Sequence, residues 1–424
     1  MTSPVEWSPA RRIGFRFAFL AGALLVFPFP IDLIPKVEWP ATVLRKPLEW
    51  ATHWLAIDVL GLPVPYPGPN GSGDRAIDYA QVLLIALLAV IGTVVWSVLD
   101  RRRRAYPRLA AAAWVVLRYY LAAVMLNYGL LKVARLQFSD PSPGTLHQRL
   151  GETPPMRLLW TFMGYSRPYT VFAGLAETVG AALLLWRRTA TIGALIVTAV
   201  MTNVVMLNLC YDVPVKIFAS ELVAMAIAIA LPDARRLISA ALGGAAPELP
   251  PRLRASPRRE RARLVAKVVL IALMVFAVAE KCFERRHRNE RGQELYGNWI
   301  VDGFVVDSVD HPPLTTDPER WECWSAGSTS MSIWRMDGAQ EGRADPDRGW
   351  YGLAVDAAAH TITVTVDYAT QRKETWRYAL TAPDRLVIDG VHRGRTLHVA
   401  LHLEPEGALL SRGFHWFNEV PYNR

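Results

Sequence analysis

The stretch YTVFAGLAETVGAALLLWRR, residues 169–188, decides how the rest of the chain is read. It is long and apolar enough for a helix crossing a bilayer, which needs about 20 such residues, yet Glu177 stands near its middle. Around it Ala173, Gly174, Gly180 and Ala181 recur at three- and four-residue spacing, a small-residue strip that invites close approach by a neighbouring helix. A carboxylate at membrane depth is costly unless paired or hydrated, so Glu177 is a candidate functional residue. The competing reading is a buried structural ion pair that holds two helices in register.

Working outward, the 424 residues are 52% hydrophobic and only 20% charged, with the apolar residues in long runs up to about residue 279. A polytopic membrane protein joined to a more polar domain is expected, with the lipid bilayer as its first partner. The net charge of +9 gathers in short loops: residues 101–104, Arg187 with Arg188, and 235–263. That is a topology signal. There is no nucleic-acid reading motif and no aromatic interleaving of the basic runs, so no nucleic-acid partner is expected. Cys210, Cys282 and Cys323 share no CxxC spacing, so neither a zinc site nor a redox dithiol is signalled. A disulfide between Cys210 and Cys282 on an oxidising side and free thiols both remain open.

Seven spans are expected. Arg11, Arg12 and Arg16 precede a first apolar run, 17–34, read as an uncleaved span with its N-terminus inside. Within the loop 35–78, Leu48, Leu55 and Val59 with Trp50 and Trp54 suit a short interfacial helix. The second span, 79–99, is closed by Asp100 and four arginines. The third, 109–138, carries Arg118, Asn127, Lys132 and Arg135, and helical geometry sets Arg118, Met125, Gly129 and Lys132 on one face that cannot look at lipid. The opening stretch is the fourth. The fifth, 191–210, carries Asn203 and Asn208; a turn through Asp212 leads to the sixth, 215–231, with Lys216 and Glu221. A seventh, 264–279, delivers the remainder outside.

From about residue 296 the pattern alternates. Roughly eight short strands, separated by turns such as Asp337-Gly338 and Asp389-Gly390, predict an antiparallel barrel or small sandwich. Gly297-Asn298-Trp299 is similar to the G-x-W opening of a lipocalin-type barrel, which closes over a packed core or one small apolar ligand. His398 and His402 share a strand face but lie about 13 Å apart, too far to chelate one metal. No metal site is predicted. The chain thus divides into two N-terminal membrane helices with an outer loop (1–106), a four-helix membrane bundle (107–231), a basic cytoplasmic linker (232–263), a seventh helix with its extension (264–294) and an outer β domain (295–424).

Helix rise tests whether the membrane charges can meet. Arg118 lies ten residues beyond Arg108, and Glu177 ten before Arg187, so each is set about 15 Å above the cytoplasmic boundary. A pair between Arg118 and Glu177 is expected as the floor of an outward-facing polar pocket. Asn203 and Glu221 are expected further out, and Asn127, Lys132, Asn208, Asp212 and Lys216 near the rim, together lining a path for a ligand. Separate interhelical hydrogen bonds are the plainer alternative.

The residues Tyr128-Gly129-Leu130-Leu131-Lys132, the run from Gly174 through Glu177 to Gly180, and Leu183 to Leu185 followed by Arg187-Arg188-Thr189 resemble the DoxX family of four-helix membrane proteins over residues 109–231. The GSGD segment ending at Asp74 and the ending at 413–421 resemble larger bacterial members with an outer C-terminal domain. The resemblance implies an inner-membrane protein associated with a thiosulfate- or thiol-linked redox system, a quinone as ligand and a redox partner subunit. Lys132 or Arg118 would then donate to a quinone oxygen and Glu177 would relay protons. The sequence shows no haem ligand pair, flavin fingerprint or iron–sulfur cysteines, so no cofactor is built in and the electron source is expected to be a substrate or another subunit. The alternative is a non-catalytic anchor or scaffold whose outer domain binds a lipid, a small apolar ligand or a partner protein.

Overall fold

A computed structural model of the protein describes residues 6–31, 39–63, 73–245, 257–290, 294–341, 350–367 and 370–417. Most of the Gly- and Pro-rich end of the first loop, the middle of the basic linker and the last residues of the 413–421 ending lie outside these. The chain divides into two compact units, Met1–Ser139 with Pro154–Cys282, and Asp140–Thr153 with Phe283–Arg424.

The first unit is helical. Its elements are α1 (Pro9–Val26), α2 (Trp39–His53), α3 (Ala76–Leu99) and α4 (Pro107–Val133); then, after α5 (Pro143–His147) of the second unit, α6 (Pro155–Tyr165), α7 (Arg167–Leu184), α8 (Ala190–Cys210), α9 (Lys216–Ala230), α10 (Ala234–Ala241) and, as far as Cys282, α11 (Pro257–Glu290). Among the described residues five helical stretches are long and apolar enough to cross a membrane: Ala76–Leu99, Pro107–Val133, Ala190–Cys210, Lys216–Ala241, in which α9 runs through the 3-10 turn Leu231–Asp233 into α10, and Glu260–Glu284. The expected first and fourth spans do not qualify. Pro28 and Pro30 follow directly on α1, which stops at Val26, and it carries three arginines. One of these, Arg16, is buried and bonds Tyr106, Ser97 and the Asp100 carbonyl. The helix α7 has only 18 residues, with Arg167 and Glu177 among them.

Amphipathic α2 continues as a single π-helical turn, Trp54–Val59. Trp39, Trp50 and Trp54 stand exposed while Leu55 and Ala56 pack inward, as an interfacial helix requires. At the centre, α7 packs against α4 on one side and α8 on the other. A Cβ on Gly174 would stand 2.7 Å from the Gly129 carbonyl oxygen, and one on Gly180 would stand 2.8 Å from a Val197 methyl. The small residues therefore serve two neighbours. Six residues at about 100° each turn Gly180 about 120° away from Gly174, so the expected single strip is split between α4 and α8.

The second unit is built on β1 (Gly297–Val306), β2 (Val309–Asp310), β3 (Trp321–Ala326), β4 (Ser330–Arg335), β5 (Tyr351–Asp356), β6 (Thr361–Asp367), β7 (Arg372–Ala382), β8 (Arg385–His392) and β9 (Arg395–Leu403), followed by one short turn of helix, α12 (Ala408–Ser411). β1 pairs antiparallel with β2 on one stretch and with β3 on another, each strand from β3 onward pairs antiparallel with the next, and β9 closes on β1 from Trp299 opposite Leu403 to Val306 opposite Leu397. This is a closed barrel of eight strands, with β2 a short hairpin beside β1. Closure removes both sheet edges. The inward positions are filled by Trp299, Trp321, Trp324, Trp376 and Phe304 among aliphatic side chains. The turn expected at Asp389-Gly390 lies instead inside β8: a Cβ at Gly390 would stand 2.5 Å from Trp376 Cδ1, so the glycine makes room for that indole. The β8–β9 turn comes at the end of the same strand, where Arg393 and Gly394 both have positive φ.

Candidate functional site

The helix α4 starts on Pro107, runs 27 residues and buries Arg118, Met125, Gly129 and Lys132 along one face, as the spacing predicts. Gly129 meets Gly174 and Thr178 of α7, and Val133 meets Gly174, so the two helices run antiparallel with Gly129 about level with Glu177. Lys132 is one turn beyond. Its side chain leans back toward the α4 N-terminus, as helical side chains do, and brings Nζ to 2.8 Å from Glu177 Oε2, with the two side chains only 9% and 2% exposed.

The partner of Glu177 is therefore Lys132, not Arg118. In this register Arg118, eleven residues before Gly129, lies about 16 Å from the level of Glu177. Its guanidinium is packed over the rings of Trp114, at 4.8 Å, and Tyr119, at 5.2 Å. Measuring both charges from their terminal arginines fails because α4 is nine residues longer than α7, so the two sets of arginines do not share a level.

Within the same unit lies a cavity of about 810 Å³. Leu24, Phe27, Ile85 and Phe218 give it an apolar side, and Arg45, Glu49, Asp78 and Glu221 a polar one. This size and this mixture suit an amphiphile of moderate size. Tyr128 belongs to its wall and also joins it to the ion pair: the ring is 6.3 Å from that of Phe218, and Lys132 Nζ stands 5.6 Å from the Tyr128 centroid. At the cavity margin the Asp74 carboxylate accepts hydrogen bonds from the backbone N–H of Lys216 (2.6 Å) and Ile217 (3.0 Å), the first amides of α9. A carboxylate there satisfies orphan donors and complements the helix dipole.

The remaining expected residues separate by location. Glu221 lies in the cavity wall, half-buried, about 8 Å along α9 from Lys216. Lys216 Nζ bridges Asp212 at 3.0 Å and Asp74 at 3.8 Å. Asn208 donates to the Val215 carbonyl at 3.2 Å and fastens the α8–α9 turn, in which Asp212 has positive φ. Asn127 is half-buried, and among the described residues no side-chain hydrogen bond joins it to this set. Asn203 is exposed on the outer face of α8. Arg45, Asp74 and Tyr128 are not among the site residues expected from the sequence, although Tyr128 opens the motif that carries the resemblance and Asp74 closes its Gly-Ser-Gly run. The three cysteines are free, with Cys210 exposed and Cys323 buried.

A second polar cluster lies in the barrel. His392, almost buried, is held between Glu374 Oε2 at 2.7 Å and Glu341 Oε1 at 3.0 Å, while Arg393 reaches Glu341 and the Tyr351 hydroxyl. Burial alone would lower the imidazole pKa, but the hydrogen bonds and charges of the two glutamates outweigh it and hold His392 above the usual histidine range. Glu341 is held below the usual carboxylate range because the His392 contacts and the charges of Arg393 and Arg335 outweigh its burial. Burial, then the charge of Glu341, pushes the Tyr351 hydroxyl up to about 12.

Over 121 residues, 28% of its length, the chain is 35% identical to the uncharacterized protein YwoB of Bacillus subtilis (strain 168), and the match covers 77% of YwoB. No family model matches the chain, and no solved structure does. The chain belongs to the family of YwoB, as a membrane protein with a β-barrel domain.

Proposed function

We propose that the helical unit binds the head group of a quinone-class amphiphile in the cavity at Tyr128 and Glu221, and that the protein is the quinone-interacting subunit of a thiosulfate- or thiol-linked membrane redox system. The observation that carries this reading is the position of Tyr128, which lines a cavity of about 810 Å³ and touches the buried Lys132–Glu177 pair. An apolar wall suits an isoprenoid tail, and the polar wall offers donors and acceptors to ring oxygens. Lys132 and Glu177 supply a buried, exchangeable proton pair one side chain away from the ligand. Electrons come from a substrate or a partner subunit. The DoxX resemblance of residues 109–231 agrees with this assignment.

In this reading the N-terminus is cytoplasmic, as the arginines at 101–104 favour, and the barrel is outside. The alternative of a ligand inside the barrel has less support, because tryptophans fill its interior. Native mass spectrometry of the full chain in nanodiscs tests the proposal. Retention of a quinone, with or without a co-purifying subunit, is expected; a protein that carries only bulk phospholipid and takes up no added quinone contradicts it.

A further inference from the structure

The carboxylates around the cavity are not equivalent. Asp74 is committed to the amides that open α9 and to Lys216. Asp78 is bonded by the Arg75 backbone and side chain in a capping box. Glu221, half-buried beside Phe218 and Tyr128 in the cavity wall, has no hydrogen bond or ion pair among the described residues. An ionised carboxylate only accepts hydrogen bonds, and a partly desolvated one without a donor is costly. Among the described residues the cavity is therefore short of a donor at this point.

We propose that Glu221 makes the cavity selective for a head group that donates hydrogen bonds, so that, on the reading above, the hydroquinone form is held more tightly than the quinone. The two forms are an apt pair of probes because they share a ring and a tail and differ chiefly in whether the oxygens carry hydrogens. An acceptor-only quinone carbonyl turned toward Glu221 meets a like partial charge; a hydroquinone hydroxyl supplies a charge-assisted hydrogen bond. A lipid ammonium group has the same donor chemistry, and the test separates it.

The full chain is placed in phosphatidylcholine nanodiscs and titrated anaerobically with a short-chain benzohydroquinone and with the corresponding benzoquinone. The hydroquinone is expected to bind about tenfold more tightly or better, and Glu221→Gln to bring the two affinities within about twofold of each other. Glu221→Asp, which keeps the acceptor, is expected to retain the preference; equal thermal stability of the three proteins excludes misfolding as the cause. Equal affinities in the wild type, or a preference that survives Glu221→Gln, overturns the inference and leaves the quinone reading standing. Binding of neither probe overturns that reading itself. A hydroquinone preference that collapses when phosphatidylethanolamine replaces phosphatidylcholine assigns the donor to a lipid ammonium and overturns the hydroquinone assignment.

Discussion

Lys132 Nζ and Glu177 Oε2 stand 2.8 Å apart between α4 and α7, with both side chains almost sealed from the surroundings. Removing one partner of such a pair leaves a bare buried charge, whereas replacing both by apolar side chains of similar size leaves none. Lys132→Met and Glu177→Leu are each expected to destabilise the helical unit by about 3–5 kcal/mol, and the double substitution to recover most of that loss. Thermal unfolding of the purified full chain in nanodiscs checks this; additive losses in the double variant would rule out direct pairing.

The register that makes this pair rests on two glycines. A Cβ at Gly174 meets the Gly129 carbonyl oxygen at 2.7 Å, and one at Gly129 meets the Gly174 carbonyl oxygen at 2.8 Å. Backbone cannot step aside as a flexible side chain does, so Gly129→Ala and Gly174→Ala are each expected to cost about 1–3 kcal/mol. Leu175→Ala, at a half-exposed position on the next residue, serves as the comparison in the same unfolding measurement and is expected to cost less.

The faces of the helices were legible in the sequence; their relative heights were not. Periodicity alone placed Met125, Gly129 and Lys132 on the buried side of α4, and alternation alone announced the barrel strands. Choosing Lys132 over Arg118 as the partner of Glu177 needs the sliding position of α4 on α7, which is set by glycine contacts 45 residues apart in sequence, Gly129 to Gly174. Asp74 presents the same difficulty at longer range, since it caps a helix that begins 142 residues later. Asp389-Gly390 misled for a different reason: the dipeptide that favours a tight turn is also the one that clears space for an indole, and only the position of Trp376 decides which applies.

Asp74 gives a local prediction. Its carboxylate satisfies the amides of Lys216 and Ile217, and loss of such a cap costs about 0.5–2 kcal/mol. Asp74→Ala is expected to accelerate hydrogen exchange at the first turn of α9 while leaving α4 and α7 protected. Uniform deprotection of all three helices would show that the contact is not a local cap.

The His392 cluster makes barrel stability depend on pH in both directions. The folded imidazole pKa is raised, so its contribution is complete below the unfolded value of about 6.5 and is lost as pH rises through the folded value. The Glu341 pKa is depressed, so its contribution is present above the unfolded carboxylate value and lost as pH falls through the folded one. A stability plateau flanked by an alkaline and an acid decline is expected from tryptophan fluorescence unfolding. In His392→Gln the alkaline decline should flatten; an unchanged alkaline limb would assign it to another group.

The most direct test of the central claim is a binding titration of the full chain in nanodiscs with a short-chain quinone, wild type against Leu24→Trp, which fills the apolar side of the cavity. Saturable binding of one quinone per chain, reduced about tenfold or more by the filled cavity at unchanged thermal stability, is the predicted result. Absence of saturable binding in the wild type, or equal binding in both proteins, would contradict it.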